Sequence, residues 1–589
     1  MPLNDYLKTI LAVICRKLIE AGVGFRLKSY ISSRIKSSIK AKLYRGIAGQ
    51  RAKVDDSTQR AESLSFMPLI SILVPTFNTD PSLLEDTVHS VIDQSYTSWE
   101  LCICDDGSKN VQTITMLKSL QTRDSRVKVM FLENNYGISH ATNHALSIAK
   151  GEFIALLDHD DLLTVHALYE VVKAINTNPD IDVIYSDQDK IDSLNRESEP
   201  FYKPQWSPEL FRGVMYIGHL LVVRRSIAER AGRFNPEFDK VQDYEFMLRV
   251  SEITNNIMHI PKILYHWRVT PGSLAYGMDE KADVDKLQAL AVNRHFERLG
   301  ISATASPHPC FRHRTQVHPG SRRNYPLISI VIPTRNAPEH IGRCLQSIYE
   351  KTTYRNYEVV IVDNNTTDPA AKGILRQYPC TVLNYNETFN FSKANNLGIG
   401  KSRGEILILL NNDTEVITED WLESLLFYLE QPNVGAVGPL LVYPDYTVQH
   451  AGVVLGFRGT ADHVMRGFPA DSDGYAGSLS CAREVSAVTA ACLAIRKSTY
   501  FDAGGLCEYF ATHYQDVDLC LRLRSMNKRI LFNPNAILIH HESVSRKTFY
   551  DHMDRALLLD NWKNTINKGD PYYNRNFSLS HVDYTVHSG

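Results

Sequence analysis

Pro68-Leu69-Ile70-Ser71-Ile72-Leu73-Val74-Pro75-Thr76-Phe77-Asn78 is an apolar, β-branched run that ends in Pro-Thr-x-Asn, and the chain writes it twice. The second copy is Pro326-Leu327-Ile328-Ser329-Ile330-Val331-Ile332-Pro333-Thr334-Arg335-Asn336. Such a run is what a strand buried on both faces requires. Four further blocks recur in the same order. Cys104-Asp105-Asp106-Gly107-Ser108 is echoed by Val362-Asp363-Asn364-Asn365. Gly151-Glu152 leads into Asp158-His159-Asp160-Asp161, as Gly404-Glu405 leads into Asn411-Asn412-Asp413-Thr414. Gln242-Asp243-Tyr244-Glu245 matches Gln515-Asp516-Val517-Asp518, and Tyr265-His266-Trp267 matches Ile539-His540-His541. A repeat of this length is a duplicated domain rather than a solenoid unit.

Each copy of the opening strand precedes a helical pattern, Leu83 to Gln94 and His340 to Lys351. Further strands follow at Trp99–Cys104 and Tyr357–Val362. Strand-helix-strand alternation predicts two tandem α/β, Rossmann-like domains with mostly parallel sheets. Ligands bind such sheets at the carboxyl ends of the strands. Asp105, Asp158, Asp363 and Asn411 fall there.

The expected layout is a basic helical extension and linker over 1–66, one module over 67–310 and a linker over 311–325. A second module follows over 326–545, then a helical tail over 546–589 with a short helix from Met553 to Ile566. Residues 1–53 hold 12 Lys and Arg against 2 acids, and apolar residues such as Leu7, Ile10, Leu11, Ile14 and Leu18 follow helical spacing. A basic amphipathic arm predicts contact with a membrane surface, the plainer reading being helices packed on the body. The 10 cysteines include no CxxC pair, which suits a reducing compartment. No apolar run reaches the roughly 18–20 residues that span a bilayer. The expected location is therefore cytoplasmic, at the inner face of the cell membrane. The acidic body carries no nucleic-acid module, so no nucleic-acid partner is expected.

Asp158-x-Asp160 after an apolar strand is the sharpest local signal. Two carboxylates two residues apart can hold Mg²⁺ or Mn²⁺, whose preferred ligands are hard oxygens. An acidic pair alone is more often a solvated turn. His266 is a candidate further ligand, although a lone histidine is more often a satisfied core residue. Asp243 and Asp516 each stand at the start of a helix, where the dipole favours the ionised form. They read as capping acids or as general bases. Gly400-Lys401-Ser402 imitates the end of a phosphate loop, but Asn395 stands where the leading glycine belongs, so it reads as a helix end. Neither opening strand is followed by the dinucleotide fingerprint.

Taken together, these motifs resemble family two glycosyltransferases of the GT-A fold. In the first module the likeness extends to Tyr185-Ser186-Asp187-Gln188-Asp189-Lys190, Lys203-Pro204-Gln205-Trp206-Ser207-Pro208 and Tyr216-Ile217-Gly218-His219. In the second, Phe389-Asn390-Phe391-Ser392 and Asn395-Asn396 are similar to rhamnosyltransferases. The resemblance implies a bifunctional, metal-dependent, inverting enzyme using UDP- or dTDP-sugar donors, with dTDP-rhamnose suggested for the second module. Its acceptor would be a lipid-linked surface polysaccharide. Asp243 and Asp516 would be the catalytic bases. Pro75, Thr76, Asn78, Asp105, Asp106, Asp158, Pro333, Thr334, Asn336, Asp363 and Asn411 would line the nucleotide. Asp158, Asp160, His266, Asp413 and His540 would serve the metal, with His541 a rival to His540. Asp187, Trp206, His219, Gln242 and Gln515 would meet the sugars. Asn411 and Asn364 depart from the acidic pattern, so the alternative is that only the first module is catalytic and the second binds glycan or acts as a scaffold.

Overall fold

The computed structural model describes residues 64–269, 282–322, 324–542 and 551–587. The expected arm over 1–53 lies outside them. The chain divides into two units. Unit one comprises 64–321 with Tyr573–Asn576, and unit two comprises 322–572 with 577–587.

In unit one the strands are β1 (Ile70–Thr76), β2 (Trp99–Asp105), β3 (Val127–Phe131), β4 (Phe153–Leu156), β5 (Leu162–Leu163), β6 (Val183–Ile191), β7 (Glu197–Phe201), β8 (Leu221–Arg224) and β9 (Ile257–Arg268). They form one sheet in the order β3-β2-β1-β4-β8-β6-β9-β5, with β7 added to β6. The pairs β1–β2, β2–β3, β1–β4 and β6–β9 are parallel, whereas β8 and β5 run antiparallel to their neighbours. Every residue of β1 and β2 is buried, as their apolar runs require. The first helix, Pro81–Ile92, is started by Asp80, whose carboxylate accepts the Ser82 N–H at 2.8 Å.

The hairpin β10 (Ala303–Pro307) and β11 (Thr315–Pro319) closes the unit. This corrects the expected linker over 311–325: Thr315–Pro319 within that segment is a paired strand, and the unit runs to residue 321. Its Pro and His content conceals a strand because Pro307 and Pro319 sit at strand ends, where no ladder N–H is needed.

Unit two repeats the plan with β12 (Ile328–Thr334), β13 (Tyr357–Asp363), β14 (Thr381–Asn384), β15 (Ile406–Leu410), β16 (Thr414–Val416) and β17 (Val434–Val442). An inserted stretch adds β18 (Val448–His450), β19 (Val453–Leu455) and β20 (Ala461–His463), before β21 (Arg483–Glu484), β22 (Cys492–Arg496) and β23 (Arg529–His540). The main order is β14-β13-β12-β15-β22-β17-β23-β16. A helix at Asp551–Asn567 follows, slightly longer than expected.

The recurring Gly-Glu has a steric cause. A Cβ on Gly151 would lie 2.6 Å from the Leu69 carbonyl oxygen, and one on Gly404 2.7 Å from that of Leu327. Each glycine N–H donates to the hydroxyl of Ser71 or Ser329 at 2.8 Å, and that hydroxyl donates to Glu100 or Glu358 at 2.6 Å. This latch sets the register of β4 on β1 and of β15 on β12. It thereby places the acidic turns that follow beside the ends of β1 and β12.

Candidate active sites

Asp105 ends β2 and is 2% exposed. Its Oδ2 accepts the Ser108 N–H at 3.1 Å, while its buried Oδ1 has no hydrogen-bond partner among the described residues. Asp363 holds the same place in unit two and accepts the Thr366 N–H at 3.0 Å. The next residues hold the loops that follow. Asp106 accepts the Tyr136 and Gly137 N–H groups at 2.9 and 2.8 Å. Asn364 does the reverse and donates to the Tyr385 and Glu387 carbonyls at 2.9 and 2.8 Å. The departure at Asn364 is therefore a change of hydrogen-bond polarity matched by its loop.

Asn78 and Asn336, expected at the nucleotide, are also loop clamps. Asn78 Oδ1 accepts the Lys109 and Asn110 N–H groups, and Asn336 Oδ1 those of Thr367 and Asp368. Both adopt φ near +50°, a region that asparagine tolerates. Pro75, Thr76, Pro333 and Thr334 form the buried floor beside them. Thr76 bonds Thr79 at 2.6 Å, and Thr334 accepts from Asn412 at 2.9 Å.

In the acidic turn of unit one, Asp161 is fully engaged. It accepts the Tyr265 hydroxyl at 2.6 Å and the Arg268 N–H at 2.7 Å. Arg268 also donates to the Asp160 carbonyl at 2.7 Å. Asp158 and Asp160 remain on the open side. Burial raises the Asp160 pKa, with the Asp158 charge adding to it and His159 opposing. Asp158 stands 3.6 Å from His219 Nε2, and the His219 ring stacks on Tyr265 at 4.7 Å and 18°. The buried Nδ1 of His219 has no partner among the described residues. Asp243, at the start of helix Gln242–Ser251, completes the group. Burial pushes its pKa up, and the neighbouring His219 pulls it back. Beside it the Gln242 Oε1 is buried without a partner.

His266 does not join this group. Strand alternation turns it away from Tyr265, whose hydroxyl reaches Asp158 and Asp161. His266 Nδ1 meets Asp189 at 2.5 Å instead. Burial alone would lower the His266 pKa, but the hydrogen bond and charge of Asp189 outweigh it and raise it. Asp189, Glu197 and His266 bring three ligand atoms within 4.8 Å of one another. The pairing explains the difference. Thr76 and Thr334 are equivalent by sequence, so β1 and β12 make Leu156 equivalent to Leu409 and Leu162 to Glu415. Leu162 pairs with His266, but Glu415 pairs with Ile539 and Thr414 with His540. The structural partner of His266 is Ile539, and that of His540 is Trp267. Matching histidine to histidine by sequence misplaces the last motif by one residue.

His540 faces the acidic turn in unit two. Its Nε2 lies 3.2 Å from Asp413 and 3.4 Å from Asn411, and its Nδ1 is buried without a partner. His541 is bound elsewhere, to Glu415 at 3.2 Å. Asp516 starts helix Gln515–Ser525 and accepts the Ala490 N–H at 2.9 Å. Gln515 Oε1 is buried without a partner. The insertion adds His450 and His463, whose Nδ1 atoms are 2.8 Å apart. Burial lowers the His463 pKa, while Asp462 and Asp516 act against it. Sequence comparison missed this pair because the insertion has no counterpart in unit one.

Asp187, expected at the sugars, has another role. It is 0% exposed. Its carboxylate accepts from the Lys203 N–H at 2.8 Å, His259 at 2.7 Å and Asn574 at 3.0 Å, which leaves it no surface for a ligand. Trp206 is half-buried against Phe211 and Tyr216.

The orphaned oxygens and imidazole nitrogens of Asp105, His219, Gln242, Asn364, Gln515 and His540 fall in the motifs read from the sequence, at strand and helix ends. Buried polar atoms without partners are costly unless something else satisfies them. Carboxylate with imidazole, or a pair of carboxylates, fits a divalent cation.

The sequence pattern described as glycosyl transferase family 2 matches residues 71–232 and 329–497. The chain belongs to this family. The two matched stretches fall in the two units, so it is a tandem member. It is 38% identical over 544 residues to an uncharacterized protein, y4gI, of Sinorhizobium fredii, covering 88% of this chain and 59% of that protein. It is 35% identical over 552 residues to the O-antigen biosynthesis protein RfbC of Myxococcus xanthus, covering 91% of this chain and 42% of that one. The chain thus spans about half the length of these relatives. A solved structure of S. aureus TarS 1–349 with UDP-GlcNAc is 22% identical and aligns with 39% of this chain and 72% of its own, at a TM-score of 0.31. No described helix is long and apolar enough to cross a membrane.

Proposed function

We propose that the chain carries two inverting transfer sites, one in each unit. Each moves a sugar from a nucleotide diphosphate to an acceptor hydroxyl. The supporting observation is that a helix-start carboxylate, Asp243 or Asp516, stands in each unit beside a glutamine with an orphaned oxygen, with the acidic turn in the same motif set. The acceptor oxygen attacks the anomeric carbon from the face opposite the diphosphate. The bond from that carbon to the diphosphate oxygen breaks, and its electron pair leaves with the diphosphate. The hydroxyl proton passes to Asp243 or Asp516. Asp105 and Asp363 hold the nucleotide base, and Gln242 and Gln515 accept from sugar hydroxyls. Asp158 and Asp160 in unit one, and Asp413 with His540 in unit two, would hold Mg²⁺ or Mn²⁺. Bound there, such an ion neutralises charge on the diphosphate.

The donors are UDP- or dTDP-sugars, with dTDP-rhamnose for unit two. The acceptor is a growing lipid-linked surface polysaccharide, a reading favoured by the O-antigen relative and by the basic residues of 1–53 at the inner membrane face.

The test is turnover of a sugar-nucleotide panel with Mn²⁺ by wild type, Asp243→Asn and Asp516→Asn. Loss of a different transfer step in each variant is the expected result. If Asp516→Asn leaves every step intact, unit one alone is catalytic and unit two binds glycan or serves as a scaffold. Absence of any donor binding or turnover rejects both readings.

A further inference from the structure

Lys203 is fully buried, and no carboxylate bonds its ammonium. Its three protons go to neutral oxygens: Gln188 Oε1 at 3.0 Å, the His219 carbonyl at 2.5 Å and the Ile217 carbonyl. The nearest acid, Asp187, bonds the lysine backbone N–H and His259 instead. Phe201 offers only a distant ring face, 5.9 Å from Nζ. A buried ammonium without a hydrogen-bonded counter-charge is costly. Burial drops the Lys203 pKa to about 7, with the Asp187 charge opposing. A methionine would fill this space at lower cost, so the charge needs a reason.

That reason is the strap from Ile217 to His219. One ammonium ties down the carbonyls on both sides of Gly218. Gln188 Oε1 also accepts the His219 N–H at 3.0 Å. Gly218 has φ +50°, and a Cβ there would lie 2.6 Å from Gln188 Oε1. The strap ends in the imidazole that stacks on Tyr265 beside Asp158 and acts on Asp243. Among the described residues, unit two has no such device. Leu221 pairs with Leu156 and Leu493 with Leu409, which puts Ala491 at the register of His219.

We propose that Lys203 is a positioning residue of the first transfer site: it clamps residues 217–219 so that the His219 imidazole is held on Tyr265 beside Asp158. The proposal rests on the reading of unit one as a transfer site. It adds a residue that touches no substrate and acts through another.

The experiment uses the full chain and follows the two transfer steps separately. Lys203→Met is expected to lower the unit-one kcat by about 10- to 100-fold, the size of loss caused by misplacing a reacting group by about 1 Å. The donor KM should stay within about twofold, and the unit-two step in the same sample should not change. Gly218→Ala, which pushes the strap off Gln188, should reproduce the loss if Lys203→Met does not fold. His219→Ala should lose activity to a similar extent, and the double variant with Lys203→Met should be no worse than His219→Ala alone. Lys203→Met within twofold of wild type, or losses that multiply in the double variant, overturn the proposal. If wild-type unit one turns over no donor, the functional reading falls instead. The clamp is then read from the crystal structure of Lys203→Met, where an imidazole still stacked on Tyr265 refutes it.

Discussion

Replacing Asn364 by aspartate would restore the acidic pair of unit one, and the structure says that it will harm the protein. Asn364 is 2% exposed, and its amide donates to two carbonyls. In Asn364→Asp a carboxylate faces both of them. Each buried acceptor left without a donor costs about 1–3 kcal/mol, so the pair costs about 2–6 kcal/mol before charge repulsion is added. A domain of this size loses roughly 2–4 °C of melting temperature per kcal/mol, so even the low end is a drop of roughly 4–8 °C. The loss also carries a pH signature. Burial and the facing carbonyls raise the folded-state pKa of the new acid above its unfolded value of about 3.9. The ionisation cost is absent below the unfolded value, grows as pH rises, and is complete above the folded value. Thermal unfolding of the full chain by circular dichroism between pH 4 and 8 measures this, and calorimetry measures UDP and dTDP binding. Melting within 1 °C of wild type, or tighter nucleotide binding, would show that Asn364 is a degraded ligand and refute the lock.

Three further outcomes are expected. The unit-one step should fall off on acidification at a higher pH than an ordinary aspartate dictates, because Asp243 must be ionised to accept a proton and burial raises its pKa; a pH–rate profile of that step with its acid limb near 4 contradicts this. His540→Ala should weaken Mn²⁺ binding by unit two at least about tenfold, whereas His541→Ala should leave it unchanged, as read by Mn²⁺ paramagnetic resonance titration; equal effects would dissolve the distinction drawn from their partners. Gly398→Ala should destabilise by about 1–3 kcal/mol, since its Cβ would lie 2.5 Å from Val331 Cγ1, whereas Gly400→Ala meets nothing within 4 Å and should be neutral or stabilising by up to about 1 kcal/mol; urea unfolding decides.

The tandem α/β plan could be read from β1 and β12 because strands covered on both faces leave no polar alternation to confuse them. Asp105, Asp363, Asp243 and Asp516 could be placed because the strand and helix ends that carry them are local features. Sequence reasoning failed where the third dimension intervenes. Asp106, Asn78 and Asn336 look like ligand groups but spend their oxygens on loop N–H groups. Asp187 lies in a polar, acidic motif yet is sealed among Lys203, His259 and Asn574. His450 and His463 belong to an insertion, for which a repeat gives no guide. Lys203 stood in a quoted motif, but nothing in one dimension shows that its ammonium reaches the carbonyls of residues 217 and 219.

The offset between His266 and His540 has a practical consequence for anyone exchanging parts between the two halves. The last strand of each sheet invites a graft, because both read as an apolar stretch closing on histidine. A chimera joined with histidine laid on histidine would slide the donor strand by one position. Since side chains alternate, that slip would reverse every residue beyond the junction, sending apolar groups outward and the imidazole into the packed face. A viable crossover aligns Ile539 with His266 and carries Thr414 with its partner strand, so that the turn and the strand it faces travel as one cassette.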